Sequence, residues 1–224
     1  MANTVINHVE FGEYSTAILY DAARRLDLEV GLRAVMPVAR NLRVVAPAYT
    51  VKFAPADQPP KVPLNFYDII ASAPKGHILA VEVGADRWIC GANISRFAQL
   101  SGMAGMVLDG CVRDIACVRE RGYPIFAHGA AVTGCAGALV LSAVGRDIVC
   151  GDVTIATGDI IVGDDDGVVC LPAFRLQEIL YEAEEIARLD AKLGSDIEAR
   201  RPLTELQFTR VRWPVRRAAK ESVS

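Results

Sequence analysis

The sequence predicts a layered α/β fold: one compact body that ends in a long helix, followed by a basic C-terminal extension. Two observations carry that reading. Strand-like and helix-like segments alternate through the first two thirds of the chain, and from Gly134 onward short apolar runs are divided by Gly-Asp pairs, so strands cluster there. A purely doubly wound sheet would keep alternating to its end. The length agrees, because 224 residues suit one domain with a helical extension.

Each element has its own signal. Between Ser15 and Leu26, the residues Ala17, Ile18, Ala22 and Leu26 fall near a 3.6-residue period, and Ser15 is available as an N-cap: a helix. Val44 to Phe53 is rich in Val, Tyr and Thr and reads as a strand. Residues 55–63 hold four prolines and form a loop. Phe66 to Ser72 reads as a short helix, and after the turn Pro74-Lys75-Gly76 the run His77 to Val83 is a buried strand. A helix from Gly91 to Ser101, a strand from Gly105 to Leu108, a helix from Ile115 to Arg121 and a strand from Pro124 to Ala127 follow. Turns are expected at Gly151-Asp152, Gly158-Asp159 and Gly163-Asp164. A long helix, Ala173 to Leu193, closes the body. Residues 1–199 are thus one domain, and the arginine-rich residues 200–224 are an extension suited to wrapping a neighbouring subunit.

Composition narrows the function classes. A net charge of −3 and a pI of about 5.7 argue against non-specific nucleic-acid binding. No apolar run approaches the roughly 18 residues that span a bilayer. The N-terminal stretch lacks the basic and apolar regions of a secretory signal, so a cytoplasmic protein is expected. Cysteines 90, 111, 117, 135, 150 and 170 form no CxxC pair, and read as reduced, mostly buried thiols rather than zinc ligands.

The most informative stretch runs from Gly91 to Asp114: a helix opening at Gly91, a glycine turn at Gly102, a buried strand, then Asp109-Gly110-Cys111-Val112-Arg113-Asp114. The last six residues leave the C-terminal end of a strand, where α/β proteins place ligands. A helix opening near Gly91 offers free N–H groups to a carboxylate, Arg113 can grip the same carboxylate with two parallel bonds, and Asp114 is a hard oxygen ligand for Mg²⁺ or Mn²⁺. The same pair would equally serve as a plain cap of the next helix, with Asp114 at the N-cap. The run Asp164-Asp165-Asp166 lacks the alternating spacing of a calcium loop and reads as a tight turn. Cys111 has no histidine close in sequence to activate it.

These residues resemble the signature of the 4-hydroxy-4-methyl-2-oxoglutarate aldolases and RraA-like proteins, in which an acidic residue, twenty intervening residues and then Arg-Asp define the active site. Gly105 to Asp114, Tyr123 to Ala127 and Gly158 to Val169 fit the family's pattern in order. The resemblance implies a β/β/α swivelling domain assembled as trimers or hexamers, with sites at subunit interfaces. It implies a lyase using Mg²⁺ or Mn²⁺ to cleave a 4-hydroxy-2-oxo acid to pyruvate, or to decarboxylate oxaloacetate. Arg113 would bind the keto-acid carboxylate, Asp114 would be the one direct protein ligand of the metal, and the amides of Asn93 and Ile94 would contact the carboxylate. Asp190 of the terminal helix would reach a neighbour's metal-bound waters, unless it is simply a solvated helix residue. The family also holds non-catalytic regulators that inhibit a ribonuclease, and its scaffold would admit a keto-acid hydratase or isomerase. A described regulator lacks the aspartate after the arginine, which is present here as Asp114.

Two positions depart from the pattern. The acidic residue that should open the motif is Ala92, which can neither hold a metal-bound water nor relay a proton. Asp86, Glu82 and His128 are the candidates to replace it, although a histidine after an apolar strand is more often structural. Lys75-Gly76-His77 stands where the family shows Pro-Gly-Asp, a difference in turn chemistry.

Overall fold

A computed structural model of the chain describes residues 11–57 and 65–206. In chain order these form α1 (Thr16–Arg25), β1 (Met36–Pro37), β2 (Val44–Pro55), α2 (Phe66–Ser72), β3 (Ile78–Glu82), β4 (Trp88–Cys90), α3 (Ala92–Leu100), β5 (Gly105–Asp109), β6 (Cys111–Val112), α4 (Ile115–Arg121), β7 (Ile125–Ala127), β8 (Gly129–Ala130), β9 (Leu139–Val144), β10 (Ile148–Cys150), β11 (Val153–Ile155), β12 (Ile160–Asp164), β13 (Gly167–Leu171) and α5 (Leu176–Glu198). Most of the proline-rich loop at 55–63 and of the basic extension at 200–224 lies outside the described residues.

The main sheet runs β1-β7-β5-β3-β2-β12-β13, with β9 on the far half of β2. Its centre, β7, β5, β3 and β2, is parallel, and β12, β13 and β9 join antiparallel. The sheet nearly closes. Leu32 N–H donates to Val168 O at 2.9 Å and Gly31 bridges Val169, so the segment leading to edge strand β1 also covers the opposite edge, β13. An edge met by its own chain offers no free ladder to another strand.

Apolar residues fill both faces, as expected of strands whose sequence is continuously apolar. Leu79, Val81, Met106 and Leu108 pack under α2, α3 and α4 with Ile70, Ala98 and Val118. Ala80, Val107 and Phe126 pack on the other side against the β10–β11 hairpin, with Ile148, Cys150 and Ile155. A third cluster seats α1 and α5 on β12 and β13 through Leu19, Ala22, Val162, Leu171, Ile179 and Ala183.

The caps follow the sequence. Ser15 Oγ accepts from Ile18 N–H at 3.3 Å, and Asn65 and Asp68 make a reciprocal capping box on α2. Helices 66–72 and 115–121 coincide with their expected bounds. Lys75-Gly76-His77 is a turn, with Gly76 at φ 74°.

Three expectations are corrected. Gly163 and Asp164 are not a turn but the end of β12, and the reversal falls on Asp165-Asp166. Gly163 is where the Phe126 ring lies so close that a Cβ would meet it at 2.5 Å, so this glycine serves packing. The closing helix starts with a 3₁₀ turn at Ala173–Arg175 and runs to Glu198, beyond Leu193. Its end is held by Asp196, which pairs with Lys192 at 2.7 Å and Arg201 at 3.1 Å. The strand at 124–127 begins at Ile125, because Pro124 has no N–H for the ladder.

Candidate functional site

Three very short parallel strands, β4, β6 and β8, form a separate sheet just beyond the C-terminal ends of β3, β5 and β7. Each continues a main strand after a break: residues 83–87, Gly110 and His128. Gly110 sits where its Cβ would press on Val83 at 3.0 Å, and its carbonyl accepts from His128 N–H at 2.8 Å. At the C-terminal end of this upper sheet, β4 delivers Gly91 and the start of α3, and β6 delivers Arg113, Asp114 and the start of α4.

Gly91 is the N-cap of α3 and, lacking a side chain, makes no side-chain cap. The N-terminal amides must therefore find other acceptors. Ala92 N–H donates to Asp114 Oδ2 at 3.1 Å. No described residue accepts from Asn93 or Ile94 N–H, so two amides at the positive end of the helix dipole stay available to an anion. Asp114 is at the N-cap of α4 but makes no side-chain bond to that helix, and its backbone is left-handed, φ 56°. This non-glycine strain turns its carboxylate across to Ala92. Oδ1 accepts no hydrogen bond among the described residues.

Arg113 lies beside it, Nε 3.6 Å from Asp114 Oδ2, and its guanidinium stacks 3.7 Å above the Trp88 ring. A Cβ at Gly91 would sit 2.7 Å from Asp114 Oδ2 and 2.9 Å from Arg113 Cγ. Only glycine leaves room for both side chains. From behind, Arg121 Nη1 donates to Ala92 O at 2.8 Å and Ser95 Oγ at 3.1 Å, tying the end of α4 to the start of α3. Burial pushes the Cys90 thiol up to about 12, and also raises Cys111, so neither is a ready thiolate. All six cysteines are free, and four are buried.

The structure thus brings Arg113, Asp114, Asn93 and Ile94 together. It places the other named residues elsewhere on this chain. His128 Nε2 is 3.1 Å from Asp109 Oδ1 and its Nδ1 is 3.6 Å from the exposed Asp86, on the side facing the β10–β11 hairpin. Gly151 N–H donates to the same Asp109 oxygen. Glu82 pairs with Lys52 at 2.7 Å and accepts from Val149 N–H. Neither His128, Asp86 nor Glu82 touches Ala92; the carboxylate found there is Asp114. Asp190 is exposed on α5, near enough to Asp21 of α1 to push that carboxyl upward, after burial as the larger cause. Among the described residues no three His, Cys, Asp or Glu groups converge on a metal position, and no helix is long and apolar enough to cross a membrane. Asp164 caps α1 through Thr16, with bonds of 2.8 and 2.6 Å, and Asp165 accepts from Asn41 N–H, which makes the aspartate run structural. Sequence reading missed Trp88 and Arg121, since a lone aromatic in a three-residue strand and an arginine at a helix end carry no signal of what they touch.

Residues 16–170 match the family model RraA-like, described as Aldolase/RraA. The chain is 31% identical over 153 residues to a protein of Halalkalibacterium halodurans that carries the provisional name 4-hydroxy-4-methyl-2-oxoglutarate aldolase, covering 67% of this chain and 70% of that one. It is 27% identical over 187 residues to Protein DlpA of Legionella pneumophila, covering 82% of this chain but spanning only 30% of that protein's length. The solved structure of Streptomyces coelicolor RraAS2, described as an unusual member of the RNase ES inhibitor RraA family, superposes with a TM-score of 0.73 at 26% identity, covering 87% of this chain and 96% of that one.

Proposed function

The chain belongs to the RraA-like family of aldolases and RraA proteins, and from that premise we propose that it is a lyase that breaks a C–C bond of a 2-oxo acid to release pyruvate. The observation that carries this reading is the junction at Gly91, where Arg113 and Asp114 meet two free helix amides. The aldolase name of the H. halodurans relative supports the same class.

Asn93 and Ile94 N–H would hold the keto-acid carboxylate, with Arg113 donating to it and to the C2 oxygen where charge gathers as the bond breaks. A half-exposed carboxylate with one free oxygen fits a hydrated Mg²⁺ or Mn²⁺ that keeps most of its waters, and Asp114 would be its only protein ligand. Such a cation supplies Lewis acidity at the C2 oxygen. In a retro-aldol cleavage of a 4-hydroxy-2-oxo acid, a base must also take the C4 hydroxyl proton, and Ala92 offers none. In oxaloacetate the bond from C3 to the C4 carboxylate breaks, carbon dioxide leaves, and the electron pair passes to the C2 carbonyl; C3 then takes a proton from water. That reaction asks of the chain only what Arg113 and Asp114 offer.

Arg113 and Asp114 are about half exposed, 50% and 44%. A neighbouring subunit would cover them, and Asp190, exposed on α5, would be its contribution in a trimer or hexamer. The rival reading, a non-catalytic ribonuclease regulator, draws on Ala92 and on the RraAS2 likeness.

Asp114→Asn tests the proposal. Asparagine keeps the shape and tolerates the left-handed backbone but loses the charge. Mg²⁺-dependent pyruvate release from oxaloacetate is expected to fall by about 10²-fold or more, since metal stabilisation amounts to several kcal/mol, with thermal stability unchanged. Equal activity in the two proteins would remove Asp114 from the site.

A further inference from the structure

Arg113 has two close neighbours. The guanidinium carbon lies 3.7 Å from the Trp88 ring centroid, and a Cβ at Gly91 would come within 3.2 Å of Arg113 Nε. The side chain thus runs over an indole face and close past bare backbone. The indole is itself locked. Its Nε1 donates to Val132 O at 3.0 Å, Trp88 N–H donates to Thr133 O, and Cys135 N–H donates to Trp88 O. Gly134 packs so closely on the ring that a Cβ there would meet it at 2.8 Å. Arg87 Nη1 closes the clasp on Gly134 O at 2.9 Å.

We propose that Trp88 is a positioning residue for Arg113, buttressed by the Val132–Cys135 loop, and that the stack sets the guanidinium for a small carboxylate ligand before that ligand arrives. The proposal rests on the keto-acid reading above. Its physical basis is preorganisation. A long, half-exposed arginine loses rotamer freedom each time it grips an anion, unless something already holds it. The ion pair to Asp114 is a weak restraint, at 3.6 Å and open to water. The indole face is the larger one, because arginine over tryptophan is the most favourable cation–π geometry.

Trp88→Leu removes the π face, and Trp88→Phe keeps a weaker one. The probe is oxalate with Mg²⁺, followed by calorimetry, beside the KM for oxaloacetate. In Trp88→Leu both constants are expected to rise about 2- to 30-fold, the span of cation–π contributions, with kcat changed less; Trp88→Phe should recover most of the loss. Equal losses in the two variants, or none in Trp88→Leu, would overturn the proposal. A double-mutant cycle of Trp88→Leu with Arg113→Met, read by thermal denaturation, measures the stack without ligand or metal. Zero coupling there overturns the proposal on its own. If the cycle shows coupling while wild type neither binds oxalate nor releases pyruvate, the keto-acid reading fails and the positioning role fails with it.

Discussion

Replacing Gly91 by alanine adds one methyl group at the tightest point of the site. The backbone there is extended, φ −149° and ψ −164°, so alanine adopts it without strain. The new Cβ would nevertheless stand 2.7 Å from Asp114 Oδ2, 2.9 Å from Arg113 Cγ and 3.2 Å from Arg113 Nε. These atoms belong to half-exposed side chains that can swing away. Forcing a side chain off its rotamer costs about 0.5–1.5 kcal/mol, and the stiffer unfolded chain returns about 0.4–1 kcal/mol. The two nearly cancel, and since 1 kcal/mol moves the melting temperature of a chain this size by about 2–4 °C, Tm should stay within a few degrees of wild type. Function should not stay. Displacing catalytic groups by about 1 Å can cost 10²-fold, and Arg113 and Asp114 both move. The assay pairs pyruvate release from oxaloacetate under saturating Mg²⁺ with a thermal melt. A variant that melts like wild type and works as fast would refute the reasoning that this junction is the site.

Restoring the family's acid by Ala92→Asp should raise cleavage of 4-hydroxy-4-methyl-2-oxoglutarate relative to oxaloacetate decarboxylation, by up to the roughly 10²–10⁴-fold that a general base contributes; an unchanged ratio in a folded protein would mean that no base is missing. Light scattering at micromolar concentration is expected to give a trimer or hexamer, and a monomer would leave Asp190 without a site to complete.

Much of the architecture was legible because long apolar runs and caps carry strong local signals. Ser15 announced α1, and the helix at Ile115–Arg121 was read to the residue. The motif Arg113-Asp114 and the helix opening at Gly91 were legible too, whereas Asn93 and Ile94 were singled out by the family resemblance and not by spacing. What stayed hidden is what short segments cannot encode. Strands of two or three residues such as Trp88–Cys90 and Cys111–Val112 have no measurable period. Gly163 looks like punctuation in sequence and is instead a contact for Phe126. The side chains that hold the site, Trp88 and Arg121, act through partners 25 to 46 positions away in the chain, beyond any local reading.

The two-tier build of the sheet also has a kinetic meaning. Below the breaks at residues 83–87, Gly110 and His128, strands β3, β5 and β7 are almost wholly buried and can exchange their amides only when the whole molecule opens. Above them, β4 and β6 carry Gly91, Arg113 and Asp114 on ladders of only two or three residues, and it is burial of Ile89, Cys90 and Val112 in the same core as β3 and β5 that holds this tier down. The groups that would meet a ligand are thus tied to the core from below and to one another only by short ladders, so a bound anion would tighten the junction between α3 and α4 without asking anything of the strands beneath.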